Sequence, residues 1–263
     1  MKITSRRKIK GKRIGVNKMR KRIIDIHNHM LPEVDDGSYS MTNSIEMARL
    51  SVESGVTDVI CTPHSYPGLF ENYKTDEFMR RFAELDYELK KRDIDLKIHS
   101  GMEIFGTENT AELLKENKLC TLAGSDYILL EFDFDDVTDN IMSILSKVIN
   151  TGRKVIIAHP ERYKCVARTP AVLLEWLDMG CLLQCNKESI RGKFGKMVNQ
   201  IAMDMLADHL YSFVGSDAHG ATHRSPYMEF AYNKICDDFG EKYADELFFI
   251  NPQNVLENSL ITV

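Results

Sequence analysis

Seven apolar segments of this chain read as β-strands, and six of them deliver an acid or an imidazole at or just past their C-terminal ends. Residues 23–26 run into His27-Asn28-His29, with Asp35-Asp36 a short loop further on. Residues 59–63 deliver His64, 96–102 deliver Glu103, 127–130 deliver Glu131, 155–158 deliver His159, and 213–216 deliver Asp217-Ala218-His219. In a parallel sheet with helical crossovers every strand C-terminus opens onto one face, so these groups are expected to converge. Five imidazoles meeting several carboxylates are ligands for hard or borderline divalent cations, the pattern of a multi-metal hydrolase.

A single histidine at a strand end is more often a satisfied polar residue than a ligand. The joint pattern overrides that reading. His27-X-His29 on a strand places both rings on one face, because side chains alternate with period two, and Asp217-X-His219 repeats the spacing near the other end of the chain. Apolar runs that end repeatedly in Asp, Glu or His would otherwise bury unpaired charges at several kcal/mol each.

At 263 residues the chain suits one α/β barrel, a class that runs to about 250 residues undivided. No stretch of eighteen apolar residues exists, so no transmembrane helix is expected. Ile9, Ile14 and Val16 are scattered among bases, so no signal-peptide core is expected either. The cysteines (61, 120, 165, 181, 185 and 236) include no Cys-X-X-Cys pair. Cys181 and Cys185, four apart on a strand, stand roughly 13 Å apart, too far for a disulfide. Reduced thiols in a cytoplasm are expected, with Cys61 a small buried hydrophobe.

Charge is uneven. Residues 1–22 hold eleven of the 34 bases and no acid, which leaves 23 bases against 39 acids in the rest, formally −16. The arm reads as a solvated, disordered tail in preference to a nucleic-acid or anionic-lipid contact. Met19 stands four residues before the first strand, so a start there would still leave a complete barrel. The acidic body argues against a nucleic-acid enzyme. Two divisions are therefore expected, the basic arm over 1–22 and one domain over 23–263.

Helical segments alternate with the strands. Ser40 or Thr42 can cap a helix to about residue 54, stopped by Gly55. Residues 75–92 form an amphipathic helix with Phe78, Phe82, Leu85 and Leu89 inward. Further helices are expected at 107–116, 139–151, 169–179, 195–207, 226–239 and 241–249, with Asn251-Pro252 starting a last short one. The seventh strand segment is 181–185.

Six motifs, Asp25-Ile-His27-Asn-His29, Leu31-Pro-Glu-Val-Asp-Asp36-Gly37, Thr62-Pro-His64, Gly101-Met-Glu103-Ile, His159-Pro-Glu-Arg162-Tyr163 and Gly215-Ser-Asp217-Ala-His219, resemble the polymerase and histidinol phosphatase (PHP) superfamily. Within it they are similar to the bacterial tyrosine-protein phosphatases encoded with capsule and exopolysaccharide systems. The resemblance covers residues 22 to about 260, and the Asp-Asp-Gly and His-Pro-Glu-Arg-Tyr elements are the more specific parts. It implies a distorted seven-stranded (β/α)7 barrel and two to three divalent ions, manganese first, with iron, cobalt or zinc as alternatives. The matched ligand positions are His27, His29, Asp36, His64, Glu103, Glu131, His159, Asp217 and His219. The resemblance also implies a metal-bridging hydroxide as nucleophile, with no phosphoenzyme. Phosphate dianions favour planar bidentate donors, and Arg162 and Arg224 match arginines used on phosphate.

The implied substrate is phosphotyrosine on a partner protein, a tyrosine autokinase with a flexible tail. The alternatives are a small-molecule phosphatase such as histidinol phosphatase, a phosphodiesterase, or a non-catalytic binding protein. Neither nucleic acid nor membrane insertion is expected, and oligomerisation is left open. Asp35 reads equally as ligand or loop carboxylate; Gln184 and Asn186 are candidates for contact with substrate or with ligands. His99 and His209 are expected away from the site and His223 at its rim, while Tyr39, Tyr66 and Tyr163 are candidates to stack on an aryl phosphate.

Overall fold

The structure is a computed structural model and describes residues 22–261; the expected disordered arm lies, except for Arg22, outside the described residues. The elements run β1 (Ile23–Asn28), α1 (Met41–Glu53), β2 (Val56–Cys61), β3 (His64–Ser65), α2 (Asp76–Lys90), β4 (Lys97–Ser100), β5 (Glu103–Phe105) and α3 (Thr110–Lys115). They continue with β6 (Tyr127–Glu131), α4 (Thr138–Ile149), β7 (Lys154–Ala158), α5 (Lys164–Arg168), α6 (Val172–Asp178), β8 (Leu182–Asn186), α7 (Lys187–Ile190), α8 (Lys196–Ala207) and β9 (Phe213–Gly215). The chain closes with α9 (Glu229–Phe239), α10 (Glu241–Asp245), a π-helical turn and α11 (Asn251–Leu256).

Local chemistry accounts for the helices. The Ser40 side chain accepts from Asn43 N–H to cap α1, and Thr75 accepts from Phe78 N–H to cap α2. Phe78, Phe82, Leu85 and Leu89 are the buried residues of α2, one stripe at helical spacing.

All strand pairings are parallel, in the orders β1-β2-β4 and β3-β5-β6-β7-β8-β9. The sheet curls until its ends meet: Asn28 bridges Ala218, and His29 N–H donates to Ala218 O at 2.9 Å. This is the expected parallel α/β barrel-like architecture, but the strand count differs. Two of the seven expected strands are each broken, giving β2 with β3 and β4 with β5. Pro63 lies in the first break and has no N–H to donate to a ladder.

Strand alternation sorts the core into two layers. Ile128, Leu130, Val155 and Ile157 pack outward among the helices. Ile24, Ile26, Leu129, Ile156, Ala158, Leu182 and Phe213 fill the interior together with Val255 of α11. By simple alternation His27 and His29 would lie on the face opposite Ile24 and Ile26. They do not, because a register shift places three steps of β1 (Asp25 to Asn28) against two of β2 (Val59 to Cys61). That bulge turns His27 into the barrel, where its ring meets Gln184 of the interior-facing β8 positions.

Candidate metal centre

Every expected ligand lies at the C-terminal mouth of the barrel. His27 and His29 come from the end of β1, His64 from β3, Glu103 from β5 and Glu131 from β6. His159 follows β7, and Asp217 and His219 follow β9. Asp36 sits on the loop after β1. Gly37 next to it has to be glycine, since a Cβ there would collide with the Cβ and carbonyl of His29. His159, Asp217 and Arg224 hold φ of +32°, +49° and +47°, left-handed values that are strained for residues with a Cβ and are typical of functional sites.

Glu103 is the hub. Its Oε2 lies 3.1 Å from His27 Nε2, 3.2 Å from His29 Nε2 and 3.2 Å from His64 Nδ1, while Oε1 lies 3.0 Å from His159 Nε2. Glu131 approaches His64 Nδ1 at 3.6 Å and His159 Nε2 at 3.5 Å. Asp217 Oδ1 is 3.5 Å from His27 Nε2 and 3.5 Å from His219 Nδ1, and Asp36 Oδ1 is 3.4 Å from His219 Nε2 and 3.6 Å from His64 Nε2. Three overlapping groups form: His29, Asp36, His64 and His219; His27, His29, Glu103 and Asp217; and His64, Glu103 and Glu131. His159 stands beside the third.

The outward ring nitrogens show which way the lone pairs point. His27 Nδ1 donates to Gln184 Oε1 at 2.8 Å, and His29 Nδ1 donates to Asp35 Oδ2 at 2.7 Å. Both Nε2 atoms therefore point inward, 3.2 Å from each other and toward the Glu103 carboxylate. Two imidazole nitrogens and a carboxylate packed this closely need a shared positive charge, which a proton or a divalent cation supplies. The buried His64 Nδ1 atom also has no hydrogen-bond partner among the described residues. This donor set fits hard or borderline divalent cations.

Electrostatics without a cation show how crowded the site is. Burial would raise the Glu103 carboxyl, but His27 and His64 override it and hold it well below its ordinary value. Burial pushes Glu131 well above its ordinary value, and the Glu103 and Asp217 charges push it further. The His219 hydrogen bond draws Asp36 down to about 2. Burial would lower His29, yet Asp35 holds it well above its usual value, whereas burial brings His159 down to about 4.

A pocket of about 180 Å³ opens above these groups, with Phe134, Arg162 and Arg224 completing its wall. Arg224 pairs with Asp217, and Arg162 lies 3.7 Å from Asp217 Oδ2. The Arg162 guanidinium is held between two rings, 4.2 Å from the Phe134 centroid and 4.4 Å from that of Phe194. Asn186 donates to Asp217, and the buried Glu161 carboxylate accepts from Asn186 N–H at 2.9 Å, Ser189 at 2.7 Å and Tyr211 at 2.8 Å.

Other expectations resolve individually. Asp35 joins none of the three groups; it orients His29 and also accepts from His64 N–H at 2.9 Å. His99 hydrogen-bonds Asp58 at 3.1 Å and His209 packs on Tyr243, both away from the site, while exposed His223 borders a cleft with Arg224. Tyr163 is not available to a substrate ring: it is buried, its hydroxyl donating to Ala158 O at 2.8 Å and accepting from Phe132 N–H at 3.1 Å. Tyr66 stacks on Phe105, and Tyr39 is exposed. The Cys-X5-Arg spacing of thiol-dependent phosphatases does occur once, from Cys185 to Arg191. Burial pushes the Cys185 and Cys61 thiols far up, so neither supplies a thiolate. Phe134 and Phe194 are the site residues that the strand-end pattern does not reveal, since an aromatic in a loop carries no spacing signal.

Comparison with known proteins gives a family model described as capsular polysaccharide synthesis, CpsB/CapC, which matches residues 23–257. The tyrosine-protein phosphatase CpsB of Streptococcus agalactiae serotype V is 32% identical over 244 residues, spanning 91% of this chain and all of that protein. The solved structures of YwqE from Bacillus subtilis and CpsB from Streptococcus pneumoniae, described as unique metal-dependent tyrosine phosphatases, include a chain that superposes with a TM-score of 0.85 at 32% identity, over 91% of this chain and 96% of that one. A histidinol phosphate phosphatase from Lactococcus lactis shares the fold at a TM-score of 0.57 and 14% identity, over 88% of this chain and 98% of that one. Among the described residues no helix is long and apolar enough to cross a membrane.

Proposed function

The chain belongs to the CpsB/CapC family of capsular polysaccharide synthesis, and from that premise we propose how its barrel mouth acts as a metal-dependent protein-tyrosine phosphatase. His27, His29, Asp36, His64, Glu103, Glu131, His159, Asp217 and His219 hold two to three divalent ions, manganese in the cell. Bound there, the ions supply Lewis acidity and an activated nucleophile for phosphomonoester hydrolysis. The observation that carries this reading is the convergence of His27 Nε2 and His29 Nε2 on the buried Glu103 carboxylate, with Asp217 beside them.

The remaining roles belong to the protein's own groups. Arg162 and Arg224 line the pocket and bind the phosphoryl oxygens. The Phe134–Arg162–Phe194 stack fixes one guanidinium, so little orientation is lost on binding. Gln184 and Asp35 keep His27 and His29 in the tautomer that presents Nε2. The substrate is phosphotyrosine in a flexible tail of a partner tyrosine kinase, and dephosphorylation there regulates capsule or exopolysaccharide synthesis from the cytoplasm. Relatives at 32% identity named tyrosine phosphatases support this reading over histidinol phosphate, whose phosphatase shares only the fold at 14% identity.

The test has two parts. Chelation should abolish activity and manganese should restore it, and elemental analysis that finds no metal in active protein would sink the metal assignment. On matched peptides kcat/KM should be higher for phosphotyrosine than for phosphoserine. Histidinol phosphate winning by more than tenfold would make this a biosynthetic enzyme.

A further inference from the structure

Three open clefts border the barrel mouth, and they differ in charge. The one beside Tyr66 and Phe105 carries Glu108, Asp133, Asp135 and Asp136, of which Asp135 is paired with Lys164 at 2.5 Å and Glu108 with Lys147. The one beside the Asp36 loop carries Glu33, Glu71 and Glu77 with Arg81. The third, about 350 Å³, is lined by Arg191, Lys193, Phe194, His223 and Arg224 with one acid, Glu188. It shares Arg224 with the metal-centre pocket, and its Phe194 is the ring that backs Arg162.

Glu188 offsets only part of the charge of this cleft, because it is shared between two bases. Its Oε1 lies 2.5 Å from Nζ of the buried Lys187, and Arg191 stands further off at 3.6 Å. Lys193 is exposed and makes no ion pair among the described residues. In a body that is formally −16 beyond the basic arm, a group of bases next to the reaction pocket is the exception. Both loops that build it follow strand C-termini, β8 and β9, and so lie on the face where a substrate chain must cross. His219 N–H donating to Arg224 O at 3.0 Å closes the second loop and holds Arg224 between the two cavities.

We propose that this cleft is a second anion subsite, which takes a carboxylate or phosphoryl group on a residue flanking the phosphotyrosine and so sets both the direction and the sequence preference of the bound chain. The proposal rests on the phosphotyrosine reading above. Arg191 and Lys193 supply the charge for the flanking group, while Arg224 stays with the reacting phosphate. Clefts lined with carboxylates repel an anionic flank, so the chain runs with its acidic side toward Arg191 and Lys193.

The experiment uses the full-length, manganese-loaded protein and three phosphotyrosine peptides that differ only in flanking residues: glutamine, glutamate or phosphoserine. Their turnover is compared with that of para-nitrophenyl phosphate, which cannot reach the cleft. The glutamate or phosphoserine peptide should exceed the glutamine peptide in kcat/KM by about three- to tenfold at low salt, the range two exposed charge pairs supply. The preference should shrink as salt is raised and collapse in the Arg191→Gln/Lys193→Gln double variant with para-nitrophenyl phosphate turnover unchanged. Whichever flank is preferred identifies the source of the anion. Fluorescence anisotropy with labelled peptides bearing a difluorophosphonate in place of the ester reads the same preference as binding. Equal kcat/KM and equal binding for all three flanks, or a preference that survives the double variant, overturns the subsite. If no phosphotyrosine peptide is turned over, the phosphatase reading fails, and the binding arm still decides whether the cleft selects anions.

Discussion

Asp35 is the residue through which the metal centre can be perturbed without touching a proposed ligand. Its Oδ2 accepts from His29 Nδ1–H at 2.7 Å and from His64 N–H at 2.9 Å, and its Oδ1 accepts from Gly37 N–H at 3.0 Å. Asp35→Asn keeps the shape but leaves one acceptor oxygen for three donors. The amide oxygen takes the place of Oδ2, which leaves the NH2 group facing Gly37 N–H. The bond to His29 loses its charge assistance, and charge-assisted bonds are roughly twice as strong as neutral ones. That weakening is worth about 1–1.5 kcal/mol of ligand orientation and basicity, or about tenfold in metal affinity. The donor–donor contact at Gly37 adds about 1–3 kcal/mol, which falls mainly on the loop that carries Asp36. The expected result is a 10- to 100-fold loss of manganese affinity, in the range seen when such supporting partners are removed. The unfolding temperature of the metal-free protein should drop by several degrees. At saturating manganese, kcat should stay within about threefold of wild type, because no proposed ligand is lost. Titration of the metal-free protein with manganese by calorimetry, alongside kinetics at saturating metal, reads both quantities. A folded Asp35→Asn protein with wild-type manganese affinity would refute the orienting role, and a kcat that collapses at saturating metal would make Asp35 part of the reacting machinery.

Replacing Arg162 or Arg224 by Ala should lower kcat/KM by on the order of 100-fold with metal content unchanged; a variant that loses metal by elemental analysis would make that arginine structural. A protein with every cysteine replaced by Ser or Ala should keep its phosphatase activity apart from packing costs, since burial holds the Cys61 and Cys185 thiols protonated; inactivity in a folded, metal-replete variant would point to a thiol nucleophile. Burial would raise the carboxyl of Asp58, but hydrogen bonds from His99 and Thr57 hold it below its usual value. A depressed carboxyl contributes stability above its unfolded pKa, near 3.9, and loses it as pH falls through the folded value. Asp58→Asn should therefore destabilise the protein by about 1 kcal/mol near neutral pH, and the penalty should shrink as pH falls below the unfolded carboxyl's value, as read by denaturant unfolding across an acid pH series.

The strand-end acids and imidazoles were legible because barrel topology alone brings them together, and the α2 stripe was legible because its period is local. What escaped the sequence depends on contacts distant along the chain. The β1 bulge is set by pairing with β2, yet it decides that His27 faces inward and not outward. Left-handed backbone at Arg224 is not announced by its residue type, and His159 and Asp217 are types that only tolerate it more readily than most. Tyr163 sits in a motif full of functional groups and looked available to substrate, but its hydroxyl satisfies two backbone groups in the interior. Phe194 gains its role only when the loop after α7 folds against Arg162, 32 residues earlier in the chain.

The charge of the pocket ties these parts together. Four carboxylates, Asp36, Glu103, Glu131 and Asp217, face two guanidiniums, Arg162 and Arg224, across the lining of the site. With neutral imidazoles and all four carboxylates ionised, the state that divalent ligation calls for, the lining by itself amounts to −2, which repels a phosphate dianion. Two divalent ions would bring the same lining to +2 and three to +4. Arg224 pairs with Asp217, so under the proposed reading it would turn toward substrate when a cation competes for that carboxylate. On that reading substrate affinity and metal loading would be one property of this site. A non-hydrolysable phosphotyrosine analogue should bind measurably only after manganese is added, and equal binding to the metal-free protein would mean that the two arginines hold phosphate unaided.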